Sequence, residues 1–337
     1  MSSIYLLDCT LRDGGYVNNW TFGAEAILQI KTGLERAGVD IIELGFVRDE
    51  AANQARSVFS SGRDLYSRFG QAPQKAVYSA MIEASEPADC YPVSSLGTPD
   101  ESGIDLIRVC IWKRLAKEHL SYCRAVGALG YRISVQPTAV GQYSLAEFIE
   151  LLKRANEWRP YSFYVVDTWG TQSPSQICRY LECAERYLGD DVKIGYHGHN
   201  NKMQALSCVQ AALDMKLSHD LCIDASVMGM GRGAGNLQTE VVMDFLNERA
   251  NKRYQPLEAT ALYIRYLRQF YEKSPWGYSL YHYLSAQYNC SQDFATYFKE
   301  QSYSEAEFKL FLDSLQPSEK IVFRADFVEA RRNQLGF

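Results

Sequence analysis

His197 and His199 stand two residues apart at the end of a short apolar run, Val192 to Tyr196, within Gly195-Tyr196-His197-Gly198-His199-Asn200-Asn201. If the run is a β-strand, alternate side chains share a face and both imidazoles point the same way. Two convergent imidazoles make half of a metal site. An H-x-H pair by itself is more often packing or surface, so the rest of the chain must supply a third ligand and a reason for a metal.

Other polar groups crowd the ends of apolar runs. The first run ends in Asp8-Cys9-Thr10-Leu11-Arg12-Asp13-Gly14-Gly15-Tyr16, the second in Glu43-Leu44-Gly45-Phe46, and the sixth in Asp167-Thr168-Trp169-Gly170. The eighth leads from Asp224 into Gly229-Met230-Gly231-Arg232-Gly233-Ala234-Gly235-Asn236. A carboxylate, two imidazoles and an amide oxygen would form a mixed N/O site suited to Mn²⁺, Mg²⁺, Co²⁺ or Zn²⁺. Blander readings stand beside this one. Arg12 could be a structural partner of Glu43, and Asp8 reads as a carboxylate bonded within the fold. Asp167 and Thr168 either touch substrate or cap a strand end. The glycine loop follows a strand and opens a helix, as nucleotide loops do, but no Lys-Ser/Thr follows and no acidic residue lies on a following strand. Its helix N-terminus could still take a carboxylate or phosphate of a substrate.

Eight β-branched runs must position these residues: Ile4–Cys9, Val39–Phe46, Lys75–Ile82, Leu106–Trp112, Arg132–Pro137, Ser162–Asp167, Val192–Tyr196 and Leu221–Ser226. Helical stretches separate them, among them Ala24–Ala37, Arg114–Leu129, Leu145–Trp158, Ser175–Leu188, Lys202–Met215 and Asn236–Arg249. Ala51–Phe69 reads as helical but polar, and Ser85–Asp105 as irregular. Strands such as VYSAMI and FYVVD look buried on both faces, as in a parallel sheet covered by helices. Eight βα units in about 250 residues match a closed (β/α)8 TIM barrel, with an open doubly wound sheet as the alternative. The barrel is preferred because the polar residues fall at the C-terminal ends of many strands. In a barrel those ends meet at one mouth.

Residues 1–250 therefore read as the barrel domain and 251–337 as a C-terminal helical domain rich in Tyr and Phe, packed on the barrel or on a partner. The net charge of −5 argues against a nucleic-acid binder. No apolar run approaches the roughly 20 residues that span a membrane, and the N-terminus lacks the basic flank of a signal peptide. Nine cysteines without a C-x-x-C pair read as reduced, buried thiols. A cytoplasmic protein is expected.

The patterns TLRDG, E-x-G-F, H-x-H-N-N and G-x-G-x-G-A-G-N, in this order over roughly residues 4–250, resemble the DRE-TIM metallolyase superfamily. The nearest resemblance is to its 4-hydroxy-2-oxovalerate aldolase-like branch. The resemblance implies metal ligands at Asp13, His197 and His199, a further ligand position at Asn236, a catalytic arginine at Arg12 and a motif glutamate at Glu43. It implies a divalent metal, Mn²⁺ first, and chemistry beside a carbonyl: a 4-hydroxy-2-oxo acid made from, or cleaved to, pyruvate and an aldehyde. A metal-bound enolate would form, with Arg12 stabilising its charge. Arg12, Asp167, Thr168, Gly233 and Asn236 would contact substrate. Tyr16 stands where the aldolases carry a histidine base and the synthases usually a glutamine. The base would then be Tyr16, a metal-bound water or another residue such as His282. The lyase branch carries a catalytic cysteine in the eighth-strand loop, and Met228–Asn236 has none. Two alternatives are a Claisen-type enzyme joining an acyl-CoA to a 2-oxo acid and a non-catalytic scaffold with a partner-recruiting tail. The aldolase branch docks an acetaldehyde dehydrogenase through its C-terminal helices, so a dehydrogenase partner or a homo-oligomer is expected.

Overall fold

The computed structural model describes residues 2–71, 75–84, 86–87 and 89–337. Eight parallel strands form the barrel: β1 Ile4–Asp8, β2 Ile41–Val47, β3 Val77–Glu83, β4 Leu106–Ile111, β5 Arg132–Pro137, β6 Ser162–Asp167, β7 Lys193–Gly198 and β8 Leu221–Ala225. Each pairs with the next, and β1 pairs with both β8 (Ile4 opposite Leu221) and β2 (Leu7 opposite Ile41), which closes the cylinder. The β2 sequence IIELGFV is buried at every position, as expected of a strand covered on both faces.

The helices between strands follow from apolar spacing and capping. Ala24–Ala37 buries Ile27, Ile30, Leu34 and Ala37 on one stripe and stops at Gly38, whose φ of 83° is left-handed. Leu145–Asn156 and Pro174–Tyr187 start on capping boxes, Ser144 with Glu147 and Ser173 with Gln176.

Three local expectations change. The stretch Ala51–Phe69 is helical only over Gly62–Phe69. Before that, Val58–Phe59 adds a two-residue strand beside Phe46 and Val47. The cause is a register shift after Glu43 at Gly45, where φ is 149° and a Cβ would lie 1.9 Å from the Ser57 carbonyl oxygen. Strand β7 runs two residues further than expected, so His197 lies within it. The helices after β7 and β8 begin three residues late, at Ala205 and Thr239. Asn200 Oδ1 accepts the Ala205 amide at the start of the first, and Asn236 is held in the site instead. The irregular loop before β4 holds a turn at Val93–Ser95 and a short helix at Pro99–Ser102; its positions 85 and 88 lie outside the described residues.

Beyond the barrel the chain is helical. Pro256–Lys273 is one continuous rod with a π-turn at Tyr263–Leu267. It packs on Ala24–Ala37 so closely that a Cβ at Gly33 would lie 2.5 Å from Leu262. Leu262, Leu267 and Trp276 extend the barrel's own core, whereas Phe294, Phe298, Phe308, Phe311 and Val328 form a separate one. Among the described residues, no helix is long and apolar enough to cross a membrane.

Candidate metal centre at the barrel mouth

Strand alternation brings His197 and His199 to the same face, with ring centroids 5.1 Å apart. Asp13 joins them from the loop after β1. There the Arg12 and Asp13 amides both donate to the Cys9 carbonyl, and Trp20 Nε1 donates to the Arg12 carbonyl at 2.7 Å. All three side chains are buried, and one ligand atom from each lies within 4.8 Å of the others.

The surrounding hydrogen bonds decide which atoms face the centre. His197 Nδ1 pairs with Asp224 Oδ2 at 2.9 Å, which leaves Nε2 free to ligate. His199 Nδ1 lies 3.4 Å from the Asp167 carbonyl oxygen, and its buried Nε2 has no hydrogen-bond partner. Asn236 donates Nδ2 to Asp13 Oδ2 at 2.6 Å and keeps a buried, unpartnered Oδ1. Burial opposes ionisation of Asp13, yet Arg12 and His199 hold its carboxyl well below the usual range. Burial lowers the His197 pKa and so favours neutral imidazole, despite the opposing pull of Asp224. An anionic carboxylate, the His197 imidazole that burial favours as neutral, and His199 Nε2, 3.4 Å from Asp13 Oδ2 without a hydrogen bond, are donors that fit a divalent cation.

Arg12 lies beside this set. Its Nε donates to Glu43 Oε2 at 2.7 Å and its Nη1 to Asp13 Oδ1 at 2.5 Å. The blander reading of Arg12 is thus met, since Glu43 holds the arginine, and the arginine in turn holds the Asp13 carboxylate. A cavity of about 70 Å³ lies over the centre, lined by Arg12, Asp13 and both histidines together with Tyr16, Thr168, Phe46, Met81, Glu83 and Arg232.

The remaining predicted residues divide. Thr168 lines the cavity and accepts the Ala139 amide through Oγ1 at 2.8 Å. Asp167 does not line the cavity. Its two carboxylate oxygens accept the Thr171 and Gln172 amides at 3.0 Å each, so it ties down its own loop. Gly233 faces away as well: a Cβ there would lie 2.1 Å from Gln292 Oε1 of the appendage. Its neighbour Gly231 approaches the centre instead, since a Cβ would lie 2.6 Å from Asp13 Oδ2 and 2.3 Å from Asn236 Nδ2. Tyr16 reaches the mouth with part of its side chain exposed, and desolvation of the phenol pushes its pKa up, which opposes a role as base. His282 is buried in the appendage and does not line the cavity; burial lowers its pKa to about 4. Asp8 is structural, as expected: it accepts the Thr10 amide at 2.9 Å and the Thr239 hydroxyl at 2.6 Å.

Sequence reasoning passed over Arg232, Arg108 and a role for Asp224. Arg232 stacks over Tyr16, with Cζ 5.3 Å from the ring centroid, and is held by Asp293 of the appendage. Arg108 and Asp224 are isolated charges in the otherwise apolar strands LIRVCI and LCIDA, a signal available in the sequence.

A closed eight-stranded barrel with a two-histidine, one-carboxylate set at the C-terminal ends of its strands defines a class, the barrel proteins whose mouth could hold a metal ion. Within it, residues 104–263 match the HMGL-like family model, which is that of a DRE-TIM superfamily domain. It is 29% identical over 249 residues to an oxaloacetate decarboxylase from Mycobacterium tuberculosis, covering 73% of this chain and 70% of the relative. It is 27% identical over 262 residues to a 4-hydroxy-2-oxovalerate aldolase from Pseudoalteromonas translucida, with coverage of 73% and 70%. In fold it is similar to the N-terminal domain of a Bacteroides vulgatus protein, with a TM-score of 0.72 and 23% identity over 89% of this chain and 97% of that one.

Proposed function

We propose that this chain is a divalent-metal-dependent carbon–carbon lyase for small 2-oxo acids. The first substrate class is a 4-hydroxy-2-oxo acid, cleaved to or made from pyruvate and an aldehyde. One observation carries the reading: the buried Asp13, His197 and His199 donors share a small cavity with the Arg12 guanidinium. A divalent cation bound there would supply the Lewis acid that polarises the 2-oxo group. Arg12, fixed by Glu43, places positive charge where enolate oxygen develops. Phe46, Met81 and Val166 supply apolar walls that limit water around the reacting carbons. The relatives named as aldolases support this class.

A second reading is favoured by Tyr16. Aldol cleavage needs a base for the 4-hydroxyl proton. On the metal reading Asp13 and the two histidines serve as ligands, and desolvation disfavours ionisation of the Tyr16 phenol. Among the described residues, Glu83 is then the remaining carboxylate lining the cavity. Decarboxylation of a 2-oxo diacid of the oxaloacetate type needs no base. The bond to the departing carboxylate breaks, its electron pair stays as the enolate, and a proton is added at carbon, for which Tyr16 is a neutral donor. The relative named as a decarboxylase supports this variant.

The test supplies the Mn²⁺-loaded protein with 4-hydroxy-2-oxovalerate and, separately, oxaloacetate, against Mn²⁺ alone. Pyruvate with aldehyde supports the first reading; pyruvate with CO₂ supports the second. Glu83→Gln should abolish aldol cleavage and spare decarboxylation. No turnover of either substrate above the metal blank would refute both.

A further inference from the structure

Arg108 projects from the middle of β4 into the barrel interior and is completely buried. Its Nη1 lies 3.0 Å from Glu43 Oε2 on β2, an ion pair without hydrogen-bond geometry. Its Nη2 bonds Asp224 Oδ2 on β8 and Gln136 Oε1 on β5, the latter at 3.2 Å. The guanidinium also sits over the Tyr164 ring of β6, with Cζ 4.8 Å from the centroid. One side chain thus binds four other strands of the cylinder.

Each carboxylate it holds has a second partner that does chemistry. Glu43 Oε2 also accepts Arg12 Nε, and Asp224 Oδ2 also pairs with His197 Nδ1. The result is an unbroken chain, Arg12–Glu43–Arg108–Asp224–His197, running under the cavity floor. Cut at Arg108, it would leave two buried carboxylates each short of a cation, with Glu43 Oε1 and Asp224 Oδ1 already lacking partners. A planar fork can bridge two carboxylates at fixed separation, whereas an ammonium can face only one squarely.

We propose that Arg108 is a positioning residue that sets Arg12 and the His197 imidazole together, through Glu43 and Asp224. It touches no substrate. Its task is to keep the enolate-stabilising cation and the metal-facing Nε2 in register, and this rests on the metal reading given above. The two arms have separate signatures. Loss of the Asp224 arm frees the His197 ring and tautomer, so metal binding suffers. Loss of the Glu43 arm frees Arg12, so kcat suffers while metal binding holds.

The experiment measures Co²⁺ affinity and absorption spectrum, kcat and KM, and the histidine ¹H–¹⁵N spectrum of the metal-free protein. Asp224→Asn should weaken Co²⁺ binding by about 10–100-fold and lose the Nδ1–H signature of His197. Glu43→Gln should lower kcat with Co²⁺ affinity within about threefold of wild type, because Asn236 still holds Asp13 Oδ2 when Arg12 loses its Nε partner. Arg108→Lys should do both. Wild-type affinity, spectrum and kcat in a folded Arg108→Lys protein would overturn the proposal. Should that variant fail to fold, the Glu43→Gln/Asp224→Asn double variant, which keeps Arg108, replaces it. Coupling through Arg108 predicts effects on kcat that are not the product of the singles, and simple multiplication would overturn it. Wild type that binds no Co²⁺ would instead refute the metal reading, while the tautomer signature still tests Arg108.

Discussion

Gly231→Ala perturbs the centre without touching a ligand. Gly231 has no positive φ, so the added methyl acts through space alone. That methyl would lie 2.6 Å from Asp13 Oδ2 and 2.3 Å from Asn236 Nδ2, against about 3.5 Å for an unstrained contact. Asp13 or the loop must therefore move by about 1 Å. Overpacking of this size costs about 1–3 kcal/mol, a fall in Tm of roughly 2–10 °C for a domain of this size. Metal–ligand distances tolerate only about 0.2 Å, so the larger effect falls on the metal. We expect Mn²⁺ affinity by calorimetry to drop at least about tenfold, the lower bound for a disturbed ligand shell. A folded variant with wild-type affinity would refute the placement of Gly231 against the centre.

Two further predictions concern titration. His282 has its pKa lowered to about 4, first by burial and then by Lys299 and His199. The unfolded chain binds a proton there near pH 6.5 and the folded one does not, so stability from this group is full above 6.5 and lost as pH falls towards 4. The loss amounts to about 3 kcal/mol. In urea denaturation His282→Leu should remove that slope, and an unchanged slope would contradict the assignment. Tyr16→Phe should leave the shape of the pH–rate profile between about pH 6 and 9 unchanged, because the raised phenol does not ionise there. Loss of a rising limb on this substitution would restore Tyr16 as the base.

The fold was legible because double-sided burial marks each strand in the sequence, and because a period of two forces His197 and His199 to one face. Asp13 was legible only through its resemblance to a motif, since nothing local says that a loop carboxylate turns inward. G-x-G-x-G carries no phase that tells which glycine meets the centre, and the fold sets Gly231 against Asp13 and Gly233 against Gln292. Asp167 looked like a substrate contact, but its loop supplies two amides that claim both oxygens. The Ala51–Phe69 error came from Gly45, whose backbone demand is invisible in a run read only for hydrophobicity. Arg108 and Asp224 were visible as charges in apolar strands, but their pairing crosses the barrel at a sequence separation of 116 residues.

The central claim is that Asp13, His197 and His199 hold a divalent metal. Titration of Mn²⁺ into chelator-treated protein, followed by electron paramagnetic resonance, tests it most directly. The account predicts one tightly bound ion per chain in wild type, and binding weakened by at least about tenfold in His199→Ala, which lacks one of three protein ligands. Equal binding by the two proteins, or none by wild type, would contradict it.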